Sequence, residues 1–249
     1  IDALCDVVPA VKPQSAYFEM LGWRGMETLE EVITHAKGKG LYVIADIKRG
    51  DIGTTATAYA DAWLGETQVG DVPLTAFGAD CVTLNGYMGS DAIKPFLDQC
   101  VARNKSAFVL AKTSNPSSVE LQDMVAGDRV VYTVMGDLIE RWGKDTAGKY
   151  GYNALGAVVG ATHPSVLKEL RRRLEHTFFL VPGYGAQGGT AADVRCAFDE
   201  LGRGAIVNAS RSIMCAWKKT GKDGMDYQEA ARAAAEQMRD ELREYITIL

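Results

Sequence analysis

The stretch VIADIKRGDIGTTATAYADA, residues 43–62, begins as an apolar strand, places Asp46, Lys48, Arg49 and Asp51 within six positions, and continues as a helix through TTATAYADA. Side chains alternate along a strand, so Ile44, Asp46 and Lys48 share one face while Ala45 and Ile47 share the other. Burying either charge alone is costly. The arrangement is tolerable as an ion pair, or as a site that a charged ligand completes.

The same strand-then-polar-end unit recurs along the chain. Short apolar or β-branched runs are VVPAV (7–11), LYVIA (41–45), CVTL (81–84), AFVLA (107–111), ALGAVV (154–159), TFFLV (177–181) and AIVNA (205–209). They are followed by Lys12 and Gln14, Asp46 and Lys48, Asn85, Thr113 to Asn115, Thr162 and His163, PGYGAQGG, and Ser210 with Arg211. Amphipathic segments such as GMETLEEVITHAKGKG and MDYQEAARAAAEQMRDELREY supply the helices. This is β/α alternation with chemistry at the carboxyl ends of the strands, the pattern of a (β/α)8 TIM barrel. A doubly wound sheet would gather its ligand residues near one switch point, whereas here they are spread over all the strands. Without linker or repeat, residues 1–249 read as one domain. The opening IDALCDVVPAVKP lacks Met and reads as the end of a helix running into a strand, so the first barrel strand is expected upstream of Ile1. A barrel short of a strand would expose two long edges.

Composition bounds the function. The chain has 249 residues, 47% apolar and 24% charged, enough for one substantial core. A net charge of -5 and a pI near 5.3 give no global attraction to nucleic acid or an anionic membrane. Any bound anion must be held by local groups. Cys5, Cys81, Cys100, Cys196 and Cys215 lack metal-type spacing and read as reduced cysteines of a cytoplasmic protein. No apolar run reaches the roughly 18 residues of a membrane span, and no signal peptide is evident.

DIKRGDIGTT, with Asp46, Lys48, Asp51, Ile52 and Thr55, resembles the motif of the orotidine 5'-monophosphate decarboxylase family. The segments VKPQSAYFE, KTSNP, VGATHP, VPGYGAQGG and ASRSIM follow in the order expected of its longer bacterial-type branch. The likeness spans essentially the whole chain. It implies cofactor-free and metal-free decarboxylation of orotidine 5'-monophosphate to UMP in pyrimidine biosynthesis. It also implies an alternating array of Lys12, Asp46, Lys48 and Asp51, in a homodimer whose Asp51 and Thr55 reach the neighbouring subunit's site. Losing CO2 from C6 leaves a carbanion in the ring plane with no carbonyl placed to delocalise it. Accelerating so slow a reaction requires more than ~20 kcal/mol of transition-state stabilisation, beyond a single general acid. Fixed charges in a dry cavity can contribute much of it.

Each residue also has a plainer reading. Lys12 alone reads as a surface-paired lysine, and Asp51 as an N-cap of the following helix. Gln14 is a candidate ribose contact. The loop PGYGAQGGT (182–190), with Pro182, Gly183 and Gln187, could be a mere turn, or its N–H groups could surround a phosphate with Arg211 beside it and Ser210 adjoining. The resemblance implies that Gln187 reaches the phosphate and that Ser114, assisted by Thr113, hydrogen-bonds the pyrimidine. His163 reads as structural and Asn85 as a turn residue. Two alternatives stand beside the decarboxylase: a Mg-dependent sugar-phosphate decarboxylase or synthase of the same superfamily, and a catalytically silent nucleotide-phosphate binding protein.

Overall fold

The computed structural model describes residues 1–247, and its contacts separate into two compact units. The first comprises Pro9–Leu110 and Arg141–Gly156; the second comprises Ile1–Val8, Ala111–Glu140 and the chain from Ala157 onward. In the first unit lie β1 (Ala10–Val11), β2 (Tyr42–Arg49), β3 (Cys81–Leu84) and most of β4 (Ser106–Lys112). They pair in parallel, Ala10 with Tyr42, Ile44 with Cys81, and Cys81 with Ser106. In the second unit, β5 (Leu155–Val159), which starts in the first, pairs in parallel with β6 (Phe179–Pro182), and β6 with β7 (Ala205–Asn208). Within each unit the strands pair with one another in chain order.

All seven strands expected from the sequence form. The largest boundary difference is at β2, which runs through the charged residues to Arg49 instead of ending at Ala45. Residues 2–7 form successive turns, with the Leu4 N–H donating to Ile1 O and the Val7 N–H to Leu4 O, where the sequence reads as the end of a helix. Two short antiparallel hairpins are additional, Thr67–Val69 with Val72–Leu74 and Val125–Ala126 with Arg129–Val130.

In the first unit, helix α1 (Gly22–Gly38) buries Leu29, Ile33 and Ala36, one stripe at helical spacing, and α3 (Ser90–Arg103) buries Ile93, Phe96 and Cys100. Between them in sequence is α2 (Gly53–Trp63), which buries Ala56, Ala60 and Trp63. Val43, Ile44, Ala45 and Ile47 of β2 and all of β3 are buried, so these strands are covered on both faces, as parallel strands flanked by helices are. In the second unit, helix α4 (Pro164–Arg173) buries Leu167 and Leu170. Arg232 of α5 (Tyr227–Arg243) grips Asp6 with two nitrogens at 2.6 and 2.8 Å. Of the five free cysteines, Cys81 and Cys100 are core residues and the other three are half-buried. No helix among the described residues is long and apolar enough to cross a membrane.

Candidate active site

β2 and its neighbours concentrate charge on one carboxylate. Asp46 is only 5% exposed, and four side chains converge on it. Lys12 Nζ at 2.5 Å and Gln14 Nε2 at 2.9 Å donate to Oδ2, while Lys48 Nζ at 2.6 Å and Thr83 Oγ1 at 2.7 Å donate to Oδ1. Burial pushes the Asp46 carboxyl pKa up, but attraction and hydrogen bonds from Lys12 and Lys48 outweigh it and hold the group below the ordinary carboxylate value. Asp46 is therefore an anion at neutral pH, shared by two cations.

Strict alternation does not deliver Lys48. Its φ is +46°, in the left-handed region rarely used by a long side chain, and the pairing register of β2 with β3 shifts between Ala45 and Arg49. The irregularity leaves Asp46 buried and Lys48 exposed while their side chains still meet. Strain of this kind is held by the surroundings: the Lys48 N–H donates to Thr83 Oγ1 at 3.0 Å, so Thr83 ties together the bulge and the carboxylate. The sequence pattern alone gives Thr83 no role. Its signal there is a hydroxyl in the middle of an otherwise apolar, fully buried strand.

Asp51 does not cap α2. Ile52 occupies the N-cap position, without a side-chain capping bond, and Asp51 Oδ1 instead accepts from the Ile52 N–H at 2.8 Å, one residue too early to satisfy the first turn. Asp51 takes no part in the Asp46 cluster of its own chain; Ile52 and Thr55 are exposed. Arg49 is engaged elsewhere, with Glu19 and with the Ile47 carbonyl. Asn85 accepts from the Tyr87 N–H at 3.0 Å, the turn role expected of it.

The second unit carries the glycine-rich loop. The N–H groups of Gly185, Gly188 and Gly189 donate to the carbonyls of Gly189, Gly185 and Gly183, so these three close the loop on itself and are not free to ring an anion. Gly183 has φ +101°, and a Cβ there would lie 2.8 Å from Gln187 Oε1. Gln187 thus folds back over the loop's first turn and is solvent-exposed. Arg211 opens the short helix Arg211–Met214, exposed and with no side-chain partner among the described residues, while the Ser210 hydroxyl accepts from Asn208 Nδ2 at 3.2 Å. An exposed, unpaired guanidinium beside a glycine loop can receive a phosphate bidentately.

Ser114 sits in the same unit, packed so closely on Gly160 that a Cβ at 160 would come within 2.9 Å of the Ser114 Cβ. Thr113 is held from both sides: its N–H donates to Gln122 Oε1 and its Oγ1 accepts from Gln122 Nε2, both at 2.8 Å. His163 Nε2 lies 3.2 Å from the Thr113 carbonyl, a structural contact. Lys112, a strand-end lysine unremarkable in the sequence, is 1% exposed, with Nζ donating to Asp123 at 2.6 Å. Pro182 ends β6, and its carbonyl accepts from the Ala161 N–H.

Residues 1–222 match the family model described as Orotidine 5'-phosphate decarboxylase / HUMPS family. The chain belongs to this family. It is 47% identical over 98% of its length to the orotidine 5'-phosphate decarboxylase of Rhodopirellula baltica, covering 81% of that protein. The orotidine 5'-phosphate decarboxylase of Caldicellulosiruptor bescii is 40% identical over 99% of the chain, 80% of its own length being covered. The structure of Leishmania donovani OMP decarboxylase superposes with a TM-score of 0.78 at 33% identity, covering 97% of this chain and 84% of that one. Family membership makes the fold class that of the (β/α)8 barrel and makes the chain an enzyme. Lys12 and Gln14 follow β1, Asp46 and Lys48 lie on β2 and Thr83 on β3, while Ser114 follows β4, the glycine loop follows β6 and Arg211 follows β7.

Proposed function

We propose that this chain, as one barrel domain, decarboxylates orotidine 5'-monophosphate to UMP without metal or cofactor. The observation that carries the reading is the buried Asp46 carboxylate clamped between the Lys12 and Lys48 ammonium groups at 2.5 and 2.6 Å. Family membership supports the substrate and the reaction.

In this reading the reaction breaks the bond between C6 and the substrate carboxylate. CO2 departs and the electron pair stays on C6. The Lys48 ammonium, fixed before the substrate arrives, stabilises that pair and transfers a proton to it, and the neutral amine regains a proton from solvent. Its side chain is 45% exposed, which leaves that return path open. Asp46 holds both lysines in place, so the field at C6 is set without reorganisation during the reaction. Its negative charge, with that of Asp51, also disfavours the bound carboxylate relative to the transition state. Gln14 serves the ribose, Ser114 with Thr113 the pyrimidine edge, and Gln187, Arg211 and the N–H groups of Gly183 and Ser210 the phosphate, with Pro182 setting the entry to that loop.

The working form is a cytoplasmic homodimer, with Asp51, Ile52 and Thr55 of each subunit completing the partner's site. Supporting this is the separation of Asp51 from its own Asp46 cluster and the exposure of Ile52 and Thr55 at the start of α2. The test is turnover of orotidine 5'-monophosphate with EDTA present. Stoichiometric CO2 and UMP are expected. Activity that EDTA abolishes returns the reading to a Mg-dependent sugar-phosphate enzyme, and tight UMP binding with no turnover to a silent binding protein.

A further inference from the structure

Lys112 is the last residue of β4, and it is a lysine in the core. An ammonium group taken from water must be paired. Its partners are Asp123 Oδ1 at 2.6 Å, from a side chain 39% exposed, and the Ser118 hydroxyl at 3.1 Å. The next residue, Thr113, exchanges two hydrogen bonds with Gln122, each 2.8 Å. Residues 112 and 113 are thus stapled to residues 122 and 123, closing a loop that begins with Ser114. That loop has little apolar burial of its own, since Val119 and Leu121 both point to solvent.

We propose that Lys112 is a positioning residue for the pyrimidine end of the substrate. Its ion pair with Asp123 seats the 114–121 loop, and the seated loop holds Ser114 against Gly160. Burial of an ion pair seldom adds stability over a well-packed apolar residue, so what this pair supplies is the unique placement of the loop. The proposal rests on the reading of Ser114 as the pyrimidine contact. Lys112 does not touch the substrate and transfers no proton.

The experiment compares UMP with ribose 5-phosphate, which carries the same phosphate and sugar but no pyrimidine. Lys112→Met removes the charge at nearly constant volume. Asp123→Asn, at a half-exposed position, weakens the same staple and carries the test if Lys112→Met does not fold. Either variant is expected to weaken UMP binding about tenfold, roughly one well-placed hydrogen bond, with the loss appearing in KM more than in kcat. Ribose 5-phosphate binding is expected to stay at the wild-type value. In a Ser114→Ala background, Lys112→Met should have no further effect on UMP. Equal weakening of both ligands, additive effects of Lys112→Met and Ser114→Ala, or unchanged UMP binding in Ser114→Ala alone would each overturn the proposal. Failure of the decarboxylase reading shows separately, as a wild-type protein that does not convert orotidine 5'-monophosphate.

Discussion

The cluster around Asp46 and the glycine loop around Gly183 are built on opposite principles. Around Asp46 every charge already has a partner: one carboxylate receives two ammonium groups, an amide and a hydroxyl, and a strained Lys48 backbone is held in place by Thr83. Around Gly183 the backbone is closed on itself and the cation is left over, Arg211 standing exposed without a side-chain partner among the described residues. The first region is organised before any ligand arrives, which suits a step limited by electrostatic stabilisation of a fleeting charge. The second leaves a cation uncompensated, which on the proposed reading suits binding of an anionic group that does not react. On the proposed reading, the charged cluster of the first unit serves the chemistry and the exposed Arg211 of the second serves affinity.

The contrast breaks most visibly at Lys48. Lys48→Ala is expected to lower kcat about 10^5-fold, combining loss of a proton donor with loss of a fixed charge, while UMP still binds. Single-turnover assays with a parallel UMP titration check it; activity within tenfold of wild type removes Lys48 from the chemistry. Arg211→Ala should act in the other direction. It is expected to weaken UMP about a hundredfold, the scale of a charge-assisted phosphate contact, and to leave uridine almost unaffected. Calorimetry on both ligands separates the two. Equal losses would place the phosphate elsewhere.

A smaller effect tests whether the first region is complete within one chain. Lys48→Ala and Asp51→Ala homodimers should each be nearly inactive. When the two are mixed, unfolded and reassociated at random, half the dimers are mixed, and each then has one intact composite site and one doubly damaged site. Recovered activity should approach about a quarter of the wild-type site count. If Asp51 serves its own chain, every site in the mixture still lacks one group and the mixture stays inactive.

Much of this contrast could be read in the sequence, because buried parallel strands announce themselves. CVTL and AIVNA are short, mostly apolar runs followed by polar residues, and they form β3 and β7 with almost unchanged limits, although only β3 is fully buried. The charges of DIKRGD also showed that a pair or a site must exist. What stayed hidden depends on backbone geometry or on partners distant in sequence. The positive φ of Lys48 leaves no trace in an alternating pattern, and the bulge is what moves Lys48 out to solvent. Thr83 looked like one hydroxyl in a strand until folding brought it to Asp46 across 37 positions. Lys112 follows an apolar run like any solvated strand-end lysine, and its pairing with Asp123 and Ser118 is what explains its burial. Both hairpins turn on a Gly-Asp pair, Gly70–Asp71 and Gly127–Asp128, with positive φ at each glycine; that signal was present but sat inside segments too short to read as strands.

The mildest test concerns the cost of keeping Asp46 ionised. Its folded pKa lies below its unfolded value of about 3.9, because the two lysines favour the anion more than burial disfavours it. A depressed folded pKa contributes stability that is fully present above the unfolded value and is lost as pH falls through the folded one. Asp46→Asn leaves Lys12 and Lys48 without their counter-charge at every pH, whereas acid does the same to the wild type only when Asp46 protonates. The Tm gap between wild type and Asp46→Asn should therefore be constant from pH 7 down to about pH 4 and narrow below it, where the unfolded chain takes up a proton at Asp46 that the folded chain still resists. Arg211→Ala, which removes no carboxylate and no internal ion pair, should show a Tm difference from wild type that does not change across the same range. A gap for Asp46→Asn that stays constant through pH 3 would mean that the two lysines do not stabilise the Asp46 anion in the folded chain, and the idea of a first region organised in advance by its own charges would fail with it.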